Sequence, residues 1–257
     1  MENKIQIEPI IAEMLAVAQK ILQLFDVDFY IVGAVARDIQ FSLRPELGPL
    51  RKTNDVDLAL MVANEEQFYE IKKALVETGD FYEHETEPIK LFYKQAIELD
   101  LLPFGGIENE THEIKLHRAR FFAMDMPGFQ EALKSHQEFV IDENLKVRVC
   151  SLEGMVLLKL FAYNDRPGRT KDVSDIGHII NAYFDLCSKY IYENGMDVMN
   201  FYDTTDPSYL SLVAARIIGH KMKIILSGKE DLIEKISAIL RRTPTDLWSA
   251  MLDGFSE

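Results

Sequence analysis

The sequence predicts an α/β domain with a mixed sheet and flanking helices over residues 1–150, followed by a helical domain over residues 151–257. Three observations predict it. Up to about residue 150, short β-rich runs alternate with apolar residues at helical spacing, the order expected of a sheet covered by helices. Beyond Ser151 only helical spacing remains. The change follows two β-rich runs, 139–142 and 145–150, separated by Glu143-Asn144, where a hairpin closes the sheet.

Each element has its own signal. Ile10, Ile11, Met14, Leu15, Ala18, Ile21, Leu22 and Phe25 mark one face of a first helix, and Glu8 and Pro9 suit its first turn. Residues 28–32 form a strand stopped by Gly33, and residues 34–43 form a helix. Residues 44–54 carry two prolines and one glycine and read as a loop. A strand over 56–62 and an amphipathic helix over 65–78 follow, the helix ending at Gly79. Strands over 89–93 and 96–102 come next, the second closed by Pro103, Gly105 and Gly106. Ser151 is an N-cap for a helix over 152–163, with Glu153 in its first turn. A helix over 171–184 and three or four more complete the chain to Phe255.

Composition bounds the function. The chain has 257 residues, 47% of them hydrophobic, enough for a sizeable core, and a formal net charge of -14. That charge excludes a protein that coats nucleic acid by bulk electrostatics, because such binders need basic surface to displace counterions. Residues 65–113 hold 13 acids and 4 bases, a net of -9, so the negative charge is concentrated. Residues 37–52 and 159–171 are locally positive. Cys150 and Cys187 form no CxxC pair and read as ordinary buried thiols. No secretory segment opens the chain, and no apolar run approaches the roughly 18 residues of a membrane span. The expectation is a cytoplasmic protein with no membrane partner.

The candidate chemistry starts at Gly33. A glycine between a strand and a helix lets backbone approach a ligand closely, and the N–H groups of the following turn favour an anion. Alone this is a weak signal. Asp55-Val56-Asp57 then opens a strand whose continuation, Leu58-Ala59-Leu60-Met61-Val62, is wholly apolar. Alternation puts both carboxylates on one face at the rim of a packed sheet. A third acid, Asp100, lies among Leu99, Leu101 and Leu102, where burial is costly without a partner or a metal. Glu98 shares its face, and the leucines favour Asp100. Three such aspartates make an oxygen-rich site suited to Mg²⁺ or Mn²⁺, which take few carboxylates together with substrate phosphates. Lys159 sits in a helix apolar nearly all round, so its ammonium must snorkel out or meet an anion. Asp172 and Asp175, three apart, share a helix face. They either brace Lys159 or orient it toward a phosphate.

Gly33-Ala34-Val35-Ala36-Arg37-Asp38, then Arg51-Lys52-Thr53-Asn54-Asp55-Val56-Asp57, then Leu99-Asp100-Leu101-Leu102-Pro103-Phe104-Gly105 together resemble the polymerase-β nucleotidyltransferase superfamily. Within it they are most similar to predicted bacterial nucleotidyltransferases of the AbiEii/AbiGii type, linked to type IV toxin–antitoxin systems. Leu157-Leu158-Lys159-Leu160-Phe161 and Lys171-Asp172-Val173-Ser174-Asp175 look like that family's lysine helix and its following aspartate helix. The resemblance covers about residues 28–180. It implies a polymerase-β-like fold that transfers a nucleotide from an NTP to an acceptor hydroxyl. Asp55, Asp57 and Asp100 would hold Mg²⁺ or Mn²⁺, with Lys159 beside them in catalysis. Gly33, Ala34, Arg37, Thr53, Lys159, Asp172 and Asp175 would bind the nucleotide. The acceptor is open between tRNA, protein and a small molecule such as an aminoglycoside, and an antitoxin partner is implied.

Two departures stand out. Ala34 replaces a serine common in the superfamily, as in the Gly-Ala-Arg-Asp stretch of CCA-adding enzymes. The gap from Ala34 to Asp55 is long and carries Arg44, Arg51 and Lys52, which could reach phosphate or an RNA acceptor. A catalytically silent, nucleotide-sensing or partner-binding protein is the rival of another class, and the intact aspartates argue against it. His112, His117, Tyr202, Tyr209 and Trp248, and the cluster of Lys115, Arg118 and Arg120, read as structural or solvated residues.

Overall fold

The computed structural model describes residues 7–44, 46, 53–118, 121–166, 168, 170–242 and 244–257. Backbone contacts divide the chain into two compact units, Met1–Leu43 with Gly48–Cys150, and Arg44–Leu47 with Ser151–Glu257.

The first unit runs α1 (Pro9–Leu24), β1 (Phe29–Val32), α2 (Gly33–Phe41), β2 (Asp55–Val62), α3 (Glu65–Glu77), β3 (Phe81–Glu83), β4 (Lys90–Tyr93), β5 (Ile97–Gly105), β6 (Glu113–Leu116), β7 (Phe122–Asp125), α4 (Phe129–Lys134), β8 (Gln137–Asp142) and β9 (Leu145–Val149). Pro9 opens α1, and Ile11, Met14, Leu15, Ala18 and Leu22 are its buried stripe. Asn64 caps α3 by accepting from the Gln67 N–H, while Gln67 Oε1 accepts from the Ala63 N–H. Seven strands form one mixed sheet in the order β3-β4-β5-β2-β1-β9-β8, and β6 and β7 pair separately. β2 lies parallel to β5 and antiparallel to β1.

β5 continues past Pro103, where the sequence reading closes it. The Leu101 N–H donates to the Ile89 carbonyl on the β4 side, so by period two the Pro103 nitrogen faces that side as well. The β4 ladder has already ended at Lys90 opposite Asp100, so the proline removes no ladder hydrogen bond. β3, β6, β7 and α4 are absent from the sequence reading. They are three to six residues long, too short for periodicity to register.

The second unit is helical: α5 (Leu152–Asp165), α6 (Thr170–Asn194), a 3₁₀ turn (Val198–Phe201), α7 (Tyr209–Ile225), α8 (Glu230–Leu240) and α9 (Asp246–Phe255). Ser151 caps α5 by accepting from the Gly154 N–H at 3.1 Å. α6 runs ten residues beyond the predicted Phe184, with a kink at Cys187, and Ile191 keeps its far end buried. α7 and α9 meet backbone to backbone. A Cβ on Gly254 would stand 1.9 Å from the Arg216 carbonyl oxygen, and one on Gly219 2.0 Å from that of Met251. Among the described residues no helix is long and apolar enough to cross a membrane.

Candidate active site

The β2–β5 register builds an acidic face. Asp55 pairs with Glu98 and Asp57 with Asp100 across the parallel ladder, so all four carboxylates project from one side of the sheet. β4 adds Lys90 directly opposite Asp100, and β1 adds Val32 opposite Asp57. One rung of the sheet therefore reads Lys90, Asp100, Asp57, Val32. On the opposite face Val56, Leu58, Leu60, Leu99 and Leu101 are buried in the core. The apolar run after Asp57 thus fixes which way the aspartates point.

Gly33 lies against Asp57. Its φ is +69°, and a Cβ built there would fall 2.0 Å from Asp57 Oδ2. Both the left-handed backbone and this approach require glycine. Ala34 follows in the first turn of α2. Arg37 is buried, its guanidinium donating to Asp38 Oδ1 at 3.0 and 2.7 Å. Thr53 Oγ1 accepts from the Asp55 N–H at 3.2 Å and so shapes the start of β2, where Asp55 is exposed.

Asp100 has a perturbed setting. Its Oδ1 atom is buried with no hydrogen-bond partner, and the Lys90 ammonium stands 3.7 Å away. Burial raises its pKa. Lys90 opposes that rise, and the charges of Glu98 and Asp55 add to it. Lys90 donates to Glu98, and this hydrogen bond, first among its causes, raises the lysine's own pKa against the cost of burial. A buried anionic oxygen lacking a donor is where a cation fits, and the hard oxygen donors of this face suit Mg²⁺ or Mn²⁺. Among the described residues no three His, Cys, Asp or Glu side chains converge closely enough to hold a metal ion by themselves. Any cation here would draw ligands from substrate phosphates or water as well.

In the second unit, Lys159 Nζ stands 2.7 Å from Asp175 Oδ2 and 3.7 Å from Asp172 Oδ1. The lysine side chain is 20% exposed and the two carboxylates 14% and 5%. The predicted trio therefore meets as one ion-paired cluster joining α5 to α6. Arg51 and Lys52 lie outside the described residues, as does Arg120.

The family model described as the nucleotidyl transferase AbiEii toxin of type IV toxin–antitoxin systems matches residues 41–257. The chain belongs to this family. Its match spans Asp55, Asp57, Asp100, Lys159, Asp172 and Asp175, and it extends through the helical tail beyond the residues that carry the resemblance in the sequence. As an AbiEii family member the chain is a nucleotidyltransferase, with a mixed α/β fold and a helical C-terminal region.

Several solved structures align with this AbiEii chain. A nucleotidyltransferase-like antigenic protein from Paracoccidioides brasiliensis is 17% identical with a TM-score of 0.43, over 93% of this chain and 91% of that one. The antibiotic-resistance factor ANT(2″)-Ia is 14% identical with a TM-score of 0.41, over 85% and 96%. The Thermotoga maritima CCA-adding enzyme complexed with tRNA is 14% identical with a TM-score of 0.29, over 98% and 67%. No curated protein matches the chain. Membership rests on the family match.

Lys90 is the residue of this face that sequence reasoning misses. Its position follows from the β4–β5 turn, where Lys94 and Gln95 both adopt positive φ without glycine or asparagine to announce it.

Proposed function

We propose that this AbiEii-family enzyme uses a divalent cation, Mg²⁺ or Mn²⁺, to transfer an NMP from an NTP to a hydroxyl of a macromolecular acceptor, tRNA or protein. The observation that carries the metal dependence is the register of Asp57 with Asp100, with a buried carboxylate oxygen on Asp100 that the Lys90 ammonium faces from 3.7 Å without a short hydrogen bond. Asp55, Asp57 and Asp100 would hold the cation, which would supply charge neutralisation for the triphosphate and the leaving pyrophosphate. The chain's own groups do the positioning. Gly33 and Ala34 offer backbone N–H groups at the start of α2 to a phosphate oxygen. Arg37, ion-paired with Asp38 in the same helix, would help to hold that phosphate. Thr53 holds Asp55 at the strand start. Lys159, its ammonium oriented by Asp172 and Asp175, would offer positive charge to an anionic group. Asp100 would take the proton from the acceptor hydroxyl as its oxygen bonds to the α-phosphorus and the bond to pyrophosphate breaks.

The family's description as a toxin supports a macromolecular acceptor and an antitoxin partner. A second reading has its own support: the net charge of -14 attracts a cationic small molecule such as an aminoglycoside. Radiolabelled NTPs incubated with total RNA, cell lysate and aminoglycosides separate these readings by where the label arrives. Transfer to the drug alone would overturn the macromolecular acceptor.

Metal dependence has a direct check. Mg²⁺ or Mn²⁺ with an NTP should raise the Tm, corresponding to about 2.7 kcal/mol at a ligand concentration of about 100 Kd. Asp55→Asn should shrink the shift. A wild-type protein whose Tm does not respond to NTP with either metal would defeat the proposal.

A further inference from the structure

The tight turn at Lys94 and Gln95 sets Tyr93 opposite Ile97, and three further pairs along the ladder bring Lys90 opposite Asp100 and diagonal to Glu98. The Lys90 side chain is 23% exposed and serves both acids: it donates to Glu98 and stands 3.7 Å from Asp100 Oδ1. Glu98 and Asp100 lie on the same strand face and compete to be the carboxylate that joins Asp57. Asp100 stands opposite Asp57, while Glu98 stands opposite the exposed Asp55. The longer Glu98 side chain could swing toward the same place. Its hydrogen bond to Lys90 turns it toward β4 instead.

Resting on the cation site proposed above, we infer that Lys90 is a positioning residue of the acidic face. It holds Glu98 away from the cation, so that Asp100 is the third carboxylate, and its charge makes the face less attractive to a cation that lacks substrate phosphates. An isolated exposed ion pair would do neither, since such pairs are weak and rearrange freely. Lys90 differs in being mostly covered and in bridging two acids of one face. The consequence is selectivity between bare metal and metal bound to a nucleotide. The NTP brings its own negative charge, which offsets the ammonium. Free Mg²⁺ or Mn²⁺ does not.

The experiment is a titration of the full-length protein with Mn²⁺ alone, reading free Mn²⁺ by electron paramagnetic resonance. Lys90→Met keeps the stem and removes the charge. It should tighten Mn²⁺ binding roughly tenfold at low ionic strength, with a smaller gain in high salt. Lys90→Arg should stay close to wild type. In the double variant Lys90→Met with Glu98→Gln, the part of the gain that persists in high salt should disappear, because the released Glu98 is what adds the ligand. Should Lys90→Met fail to fold, Lys90→Gln carries the same expectation. If Asp57→Asn and Asp100→Asn weaken Mn²⁺ binding but Lys90→Met does not tighten it, the role of Lys90 is overturned and the metal site stands. If neither aspartate variant weakens Mn²⁺ binding in a parallel titration with an NTP present, the metal site itself fails and the role of Lys90 falls with it. A double variant as tight as Lys90→Met would overturn the assignment of Glu98 as the carboxylate held aside.

Discussion

Gly33 and Asp57 are separated by 24 positions in sequence yet share one small space, because a Cβ at Gly33 would fall 2.0 Å from Asp57 Oδ2. Gly33→Ala therefore carries two costs: about 1 kcal/mol for a left-handed alanine, and displacement of the carboxylate. Turnover should fall about a hundredfold, the scale of a misplacement near 1 Å at reacting groups. Steady-state kinetics on a folded variant checks this; near-normal turnover would separate Asp57 from the chemistry. Asp100 gives a pH test. Its folded pKa is raised, chiefly by burial, so its contribution favours the fold at low pH and is lost as pH rises through that pKa. Asp100→Asn should then raise the metal-free Tm at neutral pH while abolishing most turnover. The Tm gap should close as pH falls from the raised pKa to the ordinary carboxylate value. A gap that is constant across that range would refute the assignment. Lys159 has two accounts that a charge-balanced variant separates. Lys159→Met removes the ammonium that faces two largely buried carboxylates and should cost roughly 3 kcal/mol. Adding Asp172→Asn and Asp175→Asn should restore stability. If NTP binding returns too, the cluster is a brace between helices; if it stays lost, Lys159 serves the nucleotide.

At the scale of elements, caps and close crossings set the stability of the helical unit. Ser151→Ala removes the acceptor at the start of α5 and should lower stability by about 1 kcal/mol, read as a lower urea midpoint at unchanged slope. Gly254→Ala meets the Arg216 carbonyl across the α7–α9 crossing and should cost about 1–3 kcal/mol, with no effect on metal binding. The glycines at this crossing carry no sequence signal, since a helical glycine reads only as a weak breaker. Elsewhere the sequence is more open. The stripe of α1, the Ser151 cap and the apolar run after Asp57 all act locally, so each is legible from its own few residues. Asp100 is also legible, because an acid enclosed by leucines has few other uses. Lys90 is not, because its place depends on a turn whose positive-φ residues are Lys94 and Gln95. β6 and β7 escape for a related reason: each is four residues long and takes its pairing from the other.

Over the whole molecule, the net charge of -14 opposes an RNA acceptor at long range. In the two locally positive segments, Arg44 stands 3.7 Å from Glu46 and Arg166 3.2 Å from Asp165. An RNA acceptor should therefore make few phosphate contacts, each contributing about -0.7 to -0.9 to the slope of log affinity against log salt. A slope steeper than about -5 would show a basic surface larger than this one.

The parallel pairing of β2 with β5 has a kinetic side. Parallel strands cannot close through a tight turn, and here α3, β3 and β4 intervene, so the two halves of the acidic face are brought together by a long-range contact. That contact sets Asp55 opposite Glu98 and Asp57 opposite Asp100, like charges that resist each other as the ladder zips. Lys90, arriving on the neighbouring β4, offsets them from within the sheet. Refolding of this unit should accordingly be slow at low ionic strength and quicken as salt or a divalent ion screens the ladder. The same carboxylates proposed for catalysis would act as a brake on the sheet that presents them.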